Sequence, residues 1–491
     1  MILPYFIIIP LLAAFIITLI GGKKDTWGIA LSIAAIVIMM VLSIYSFVIG
    51  KTETVTYSMS NWDIPIGICL VQDALSLFVL IIINIIALTS LLFSIQYIRH
   101  LSPDWKYYAL FMLLITGMNG VVLTGDIFNL FVFMEIALFS AFALVAYGGK
   151  AEEFEASFKY AIMGSVSSVL ILVGIAITYA TTSTLTMAKI ATILPQTEPI
   201  VMLMIGALFM VGFGLKAAAM PFHAWLPDAH SSAPAPISAM LSGVLIKALG
   251  IYVLMRIFFN VFGAVQIFKE IFIVLGAISI IVGVILALGQ WDMKRLLAYH
   301  SISQIGYILL GMGLGTYLGL LGAIFHLLNH AIFKSLLFYN AGSVEIALGT
   351  RNLKEMGNLT KVMPISSSTS LIASLSISGI PPFNGFFSKL IIIIAALEVN
   401  APWVAFIAII GSLLTLASFM KVQRYGFRGE KIVEKIEDKI GLNMKIAMIT
   451  LAVLCVVTSA LIIPGIREVI LDPVVNVLLD SSKYIQMLVG S

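Results

Sequence analysis

At 491 residues, with 61% hydrophobic and 11% charged side chains, the chain has too little polar surface to cover a water-soluble globule. Its net charge of +4 sits mostly in clustered loops and gives no case for nucleic-acid binding. Two cysteines, Cys69 and Cys455, cannot supply a four-thiolate cluster, so this chain is expected to hold no cofactor and any redox centre belongs to partner subunits.

A spanning helix needs about 20 apolar residues. Such stretches lie near 2–21, 27–49, 74–98, 107–124, 126–147, 158–180, 201–227, 235–260, 265–288, 296–315, 317–340, 364–398, 402–423 and 445–465. The expected fold is an all-α polytopic membrane protein of about 14 transmembrane helices in the lipid bilayer. Met1 to Ile20 lacks a basic start and reads as a first span, not a cleaved signal. Asp126 opens the fifth span near the outer surface, and Glu135 lies inside that span. The seventh carries Lys216, followed by Met220, Pro221, Phe222 and His223; Asp228 and His230 come next. The eighth carries Lys247 and, toward its end, Arg256, which is expected to snorkel. His326, His330 and Lys334 recur every fourth residue in the eleventh and so share one helical face. The twelfth holds Ser378, Gly379, Ile380, Pro381 and Pro382, then Gly385 and Lys389, with Glu398 solvated at its far end. The mixed-charge run from Arg424 to Lys445 reads as a solvated helical loop, and the residues after Gly465 as a short surface segment.

Seventeen Lys and Arg fall in one set of alternate connections, against five in the other set with the tail. The positive-inside rule then places both termini on the outer side of the cell (plasma) membrane.

An ionisable residue inside a bilayer costs from a few kcal/mol to roughly 10 or more, and such residues mark ion or proton pathways. Glu135, Lys216, Lys247, His326, His330, Lys334 and Lys389 together point to movement of protons or sodium. Two spans also pair a buried lysine with proline, which removes a backbone donor and breaks the helix. Interrupted segments at corresponding places in two halves are the sequence mark of inverted repeats around an ion site. The organisation expected is 1–106 for helices one to three, 107–260 and 261–423 for two inverted five-helix repeats with helices 7 and 12 broken, and 424–491 for a loop, helix 14 and tail. The alternative is a pair of proline kinks that only optimise packing.

The run from Lys216 through Met220-Pro-Phe-His-Ala-Trp-Leu-Pro-Asp-Ala-His230 to Lys247 resembles the signature of the antiporter-like subunits of respiratory complex I, Mrp-type cation/proton antiporters and group 4 membrane-bound hydrogenases. Supporting matches are Asp73-Ala-Leu-Ser-Leu77, Asp126 through Glu135, Lys294-Arg-Leu-Leu-Ala-Tyr-His-Ser-Ile-Ser-Gln-Ile-Gly-Tyr307 and Asn329-His-Ala-Ile-Phe-Lys-Ser-Leu-Leu-Phe338. The resemblance covers roughly residues 70 to 423. It implies a fourteen-helix subunit of a larger membrane complex, with one proton channel and no cofactor of its own. Partners would include further antiporter-like subunits. By that resemblance Glu135 is the fifth-helix glutamate, Lys216 its partner, Lys247 the central lysine, His326 and His330 relay histidines, and Lys389 the terminal charge. Lysine at the last place favours the Mrp D-type subunits and the hydrogenase-type members, and the long lateral helix of some relatives is missing.

Burial in a low dielectric disfavours charge, while pairing Glu135 with Lys216 favours both charged forms. At an effective dielectric near 20, unit charges about 6 Å apart interact by roughly 3 kcal/mol, enough to couple Lys216 to Lys247 as a switch. Imidazoles then carry the proton toward Lys389. Lys334 either continues that series or snorkels to the cytoplasmic end, and His223, Asp228 and His230 form either a proton entrance or loop supports. No thiolate or carboxylate completes a metal site with the histidines, and no oxygen cage for sodium is visible inside the spans, which favours protons. The remaining readings are an Mrp-type sodium/proton antiporter subunit without redox coupling, a non-pumping scaffold, and a channel or solute carrier.

Overall fold

The computed structural model describes residues 2–21, 25–62, 67–101, 105–429 and 440–489. Among them, eleven helices are long and apolar enough to cross a membrane, which makes this a multi-pass, mostly helical membrane protein. Most of the Arg424–Lys445 run, residues 430–439, lies outside the described residues. One element the hydropathy pattern did not suggest is a short antiparallel hairpin, β1 Val55–Ser58 and β2 Cys69–Gln72, with Val55 opposite Gln72.

Aspartates start several helices. Asp73 caps Ala74–Tyr97 through a capping box with Ser76. Asp126 accepts from the Asn129 amide at 2.7 Å to open Ile127–Val145, and Asp292 accepts from the Arg295 amide at 2.8 Å to open Met293–Leu314. An aspartate at this position satisfies an otherwise orphaned amide. Asp126 also makes a lone β-bridge to Thr186, and Asp292 makes one to Asn352. The helices that follow, Ala151–Thr182 and Tyr317–Leu348, are both 32 residues long and both end on a left-handed residue, Ser183 and Gly349.

Two further helices end on a left-handed residue and resume shortly after. Pro199–Ala217 ends on left-handed Ala218, and Pro364–Ser378 ends on left-handed Gly379. Each end is a Schellman motif: the Ala218 and Ala219 amides donate to Leu215 and Gly214 carbonyls, and the Gly379 and Ile380 amides donate to Ser376 and Leu375 carbonyls. The prolines follow two or three residues later, so they block resumption of the helix instead of kinking its middle. Helix resumes at Trp225–Ser232 and at Asn384–Glu398.

Helix Ala235–Val261 is enclosed by protein along its whole length. The tail departs from the expected surface segment. Leu471, Val474, Val475, Leu478 and Tyr484 are buried, because the short helices after Pro464 fold back onto the protein. Asn260 donates to the Val477 carbonyl at 2.6 Å, and Asp472 accepts from Tyr317 at 2.5 Å.

Candidate functional site

The first cluster is assembled from three helices. Glu135, half-buried on Ile127–Val145, accepts a hydrogen bond from Ser168 of Ala151–Thr182. Lys216, in the last turn of Pro199–Ala217, donates to Ser168 Oγ at 3.0 Å and to the Gly164 carbonyl at 2.9 Å. The carboxylate and the ammonium therefore communicate through a hydroxyl and not through the direct ion pair expected. A hydroxyl has one proton and two lone pairs, so Ser168 can accept from lysine while donating to glutamate. Behind the break, Trp225 donates from Nε1 to the Leu215 carbonyl at 3.0 Å and stacks on Tyr160 at 4.3 Å between ring centres. A gap of about 10 Å³ separates Lys216 from Leu245, Ile246 and Leu249. It is about one water across.

Lys247 occupies a helix whose winding is irregular. Leu241–Leu245, Lys247–Tyr252 and Arg256–Val261 are π-helical, a form that is rare and frequent at functional sites. Lys247 donates to the Ser242 carbonyl, and Ser242 Oγ lies 2.7 Å from Ser301 Oγ. Gly250 allows this helix to touch the Lys216 break, since a Cβ there would lie 2.6 Å from Ala217 Cα.

Helix Tyr317–Leu348 brings His326, His330 and Lys334 into line as their spacing implies, and all three are fully buried. The two imidazole centres are 6.3 Å apart. His326 Nδ1 is 2.9 Å from Ser388 Oγ; its Nε2, both nitrogens of His330 and Lys334 Nζ find no hydrogen-bond partner in the protein. Lys334 does not snorkel to the surface, and its nearest aromatic contact is the Phe338 ring at 6.0 Å. A dry, unpaired buried polar group costs about 1–3 kcal/mol. Four such atoms lie along this one helix. Lys247 lies within electrostatic reach of His230, His326, His330 and Lys334.

Lys389 follows Ser388 on the half-helix after the second break. Its Nζ donates to the Ile377 carbonyl at 2.7 Å and sits 4.5 Å over the Tyr307 ring. Asn329 ties the histidine helix to the start of that half-helix by donating to the Asn384 carbonyl at 2.9 Å.

The three residues after the first break separate. Asp228 pairs with Lys159 at 3.0 Å and Arg295 at 3.2 Å, on the wall of a cavity of about 400 Å³ that Glu152, Asp292 and Arg351 also line. His230 is buried, with both ring nitrogens unpartnered, within electrostatic reach of Lys334 and Lys247. His223 stays at the break, with Nδ1 3.3 Å from the Pro221 carbonyl, and joins neither group.

Arg256 corrects the expectation of a snorkelling side chain. It is 3% exposed and pairs with Asp73 at 2.7 Å, with Tyr252, Asn260 and the tail's Tyr484 around it. Ser168, Ser388 and Ser242 were not singled out from the sequence, because serine is ordinary in membrane helices and only its neighbours reveal a bridging role. Asp73 was quoted there only as part of a motif, and a lone carboxylate before an uncharged apolar run was the available signal. Among the described residues, no group of three His, Cys, Asp or Glu is placed to ligate a metal.

Residues 124–415 match the family described as NADH:quinone oxidoreductase/Mrp antiporter, transmembrane region. The chain is 34% identical over 489 residues to the D-type component of the Na(+)/H(+) antiporter of Alkalihalophilus pseudofirmus, covering 98% of each. It superposes with TM-score 0.91 on a chain of the Mrp complex from Dietzia sp. DQ12-45-1b, at 28% identity, covering 100% of this chain and 99% of that one. It superposes equally, with TM-score 0.91 and 31% identity, on a chain of the membrane-bound sulfane sulfur reductase, an archaeal respiratory membrane complex, covering 99% of this chain and 100% of that one.

Proposed function

This chain belongs to the NADH:quinone oxidoreductase/Mrp antiporter transmembrane family, and from that premise we propose that it is the proton-translocating, antiporter-like membrane subunit of a multisubunit complex. The single observation that carries the reading is the series of ionisable and hydroxyl side chains Glu135–Ser168–Lys216, Lys247, His330–His326–Ser388–Lys389, all of them buried but the half-buried Glu135. Residues with replaceable protons are poor packing material and are retained in apolar surroundings for ion pathways.

The architecture supports the same reading. Helices Tyr5–Ile20 and Met293–Leu314, with the interrupted pair Pro364–Ser378 and Asn384–Glu398, bring the eleven spanning helices to fourteen. The capping aspartates Asp126 and Asp292, the paired 32-residue helices and the two Schellman breaks recur in the same order, as two repeats at 107–260 and 261–423 require. Each repeat has five spans, so the two face opposite ways. Both termini then lie outside the plasma membrane, and the Asp228 cavity opens on the inner, Lys- and Arg-rich face.

Chemically, Ser168 couples Glu135 to Lys216. When the glutamate holds the lysine through this hydroxyl, the positive field on Lys247 is weak and Lys247 keeps its proton. When the bond opens, repulsion favours release toward His330, His326 and Lys389. Asp228 and His230 supply the line from the inner face, with Lys334 next to them. Among the described residues no oxygen cage lies along the line, and we assign protons to this subunit, with sodium moving elsewhere in the complex. Redox chemistry or cation exchange in partner subunits provides the driving force, and this chain needs no cofactor for its part. The Mrp-type reading without redox coupling has its own support in the Na(+)/H(+) antiporter relative.

The test is proton flux in proteoliposomes containing the whole complex, with and without sodium. Lys247→Ala and Glu135→Gln should each lower flux by about tenfold or more while subunit composition is unchanged. Unaltered flux in both would leave only a scaffold.

A further inference from the structure

Helix Pro364–Ser378 is unlike every other span. Its 15 residues contain seven serines and a threonine. Ser366, Ser370, Ser374 and Ser378 recur at every fourth position, share one face and are all buried. The helix begins at the inner surface, rises about 22 Å at 1.5 Å per residue, and ends at the break beside Lys389.

Two of these hydroxyls, those of Ser370 and Ser374, are joined to a side chain outside the helix. Gln423 donates to Ser370 Oγ at 3.1 Å and to Ser374 Oγ at 3.0 Å. Ser378 donates to the Ser374 carbonyl at 2.6 Å, and Ser412 donates to the Ser378 carbonyl at 2.8 Å while lying 3.4 Å from Lys389 Nζ. Serines that only allow close helix packing satisfy themselves on their own carbonyls. Here Ser366 Oγ, at the inner end, is buried with no protein partner.

A titratable group stands alongside. His300, on Met293–Leu314, is fully buried, with Nε2 2.8 Å from Ser418 Oγ and Nδ1 unpartnered. Ser418 belongs to the helix that carries Gln423 and Ser412. One turn beyond His300, both amide atoms of Gln304 are also buried and unpartnered. The charged groups facing His300 are Lys334, Lys389 and Lys421. Lys421 marks the inner end, where it donates to the carbonyls of Leu288 at 2.7 Å and Gln290 at 2.6 Å.

We propose that the serine face of Pro364–Ser378, with His300 and Ser418, is a second inner-side access path for protons, leading directly to Lys389 and separate from the Asp228 cavity. It rests on the reading of Lys389 as a relay residue. A hydronium ion at the inner surface gives its proton to water held along the hydroxyls and becomes water itself. His300 takes a proton on one ring nitrogen and releases one from the other, and the neutral amine of Lys389 ends as an ammonium. Lys389 can then exchange with the inner side without passing through Lys247.

The test uses the whole complex in oriented vesicles, with Cys69 and Cys455 replaced by alanine and one cysteine introduced at Ser366, Ser370, Ser374 or Ser378. A charged, membrane-impermeant thiosulfonate added at the inner face should label all four, at rates falling toward Ser378, and the outer face should give none. No labelling from the inner face at Ser366, Ser370 and Ser374 overturns the path. In the second arm, His300→Ala should slow flux by about tenfold, the lower range for loss of an acid–base group, and imidazole added at the inner face should restore it. A variant slowed only by altered packing gains nothing from imidazole, and that result also overturns the role of His300. Flux lost in Lys247→Ala with the serines unlabelled sinks this path and leaves the relay standing. Flux surviving Lys389→Ala sinks the relay itself.

Discussion

The two helix breaks close with the same hydrogen bonds yet hold their lysines differently, and the difference shows what each half of the protein controls. Lys216 lies in the last turn before its break and reaches sideways to Ser168 and Gly164 on a neighbouring helix. Lys389 lies after its break and reaches back to Ile377, in the last turn of the half-helix it follows. In sequence this looks like a defect of symmetry. In space both lysines belong to the C-terminal end of the first half-helix, where unpaired carbonyls and the helix dipole favour a cation. What differs is the partner: Lys216 answers to a side chain that can change its protonation, and Lys389 to backbone that cannot. On the proposed relay, the first break would act as a switch and the second as a fixed station.

The largest effect that would break this comparison concerns the cations at the far ends of the two repeats. Arg256 begins, and Lys421 shortly precedes, a π-helical turn that ends the last helix of its repeat. Arg256 is locked to a buried carboxylate, whereas Lys421 is half-buried on carbonyls. Asp73→Asn should lower the thermal midpoint of the purified complex, since orphaning one member of a buried ion pair costs about 3–5 kcal/mol. Lys421→Met should cost about 1.5 kcal/mol, the value of hydrogen bonds from a charged group. Equal shifts would mean that the tail and Asp73 add nothing at the end of the first repeat.

Next in size is a steric contrast at the breaks themselves. A Cβ on Gly385 would fall 1.9 Å from the Ser376 carbonyl, while one on Gly214 would meet only the Phe222 ring at 3.2 Å. Gly385→Ala must push the two half-helices apart against backbone and should destabilise by about 3 kcal/mol, the upper range for overpacking. Gly214→Ala should change the midpoint by less than about 1 kcal/mol, because a ring can turn aside. Denaturation curves for the two variants would sharpen or erase the distinction.

These contrasts also show why some features could be read from residues and others could not. Lysine in an apolar run and paired prolines are categorical signals, since each is expensive unless its surroundings are built for it. The multi-pass, mostly helical fold and the shared helix of His326, His330 and Lys334 could be read from such signals. The link between Glu135 and Lys216 did not, because a serine hydroxyl in a membrane helix has no compositional signature. The π-helical winding around Lys247 was equally silent, and so was the close approach of its Gly250 and Gly243 to Ala217 and Ser335, which lie in other segments. The fate of Arg256 turned on a partner 183 residues away, and a single long cation near a helix end reads as a snorkelling one until that partner is placed.

A smaller effect tests the switch against the station. Ser168→Ala removes the hydroxyl through which Glu135 senses Lys216 and should lower flux by roughly tenfold, the kinetic equivalent of about 1.4 kcal/mol. Ser412→Ala removes a weak contact at 3.4 Å while leaving the Ile377 bond of Lys389, so flux should change by less than about twofold. If both serines matter equally, Lys389 is as switchable as Lys216 and the two stations share one design.

The smallest effect lies in the backbone at the two caps. Both breaks require a left-handed residue, with φ of 53° at Ala218 and 75° at Gly379. Glycine adopts that conformation freely, and any other L-residue pays about 1 kcal/mol for the Cβ against the carbonyl. The first break therefore already carries a cost that the second avoids. Ala218→Gly should raise the thermal midpoint by the equivalent of at most about 1 kcal/mol, offset in part by the extra freedom glycine gains when unfolded. Gly379→Ala should lower it by about the same amount, and its Cβ also approaches Lys389 Cδ and Ser412 Oγ at 3.1 Å. The two substitutions should thus act in opposite directions on stability while Ala218→Gly leaves the Lys216 contacts intact. Alanine stands at the first cap although glycine would relieve it; if Ala218→Gly stabilises the fold but slows flux, the strain at the Lys216 break is part of how that proposed switch opens.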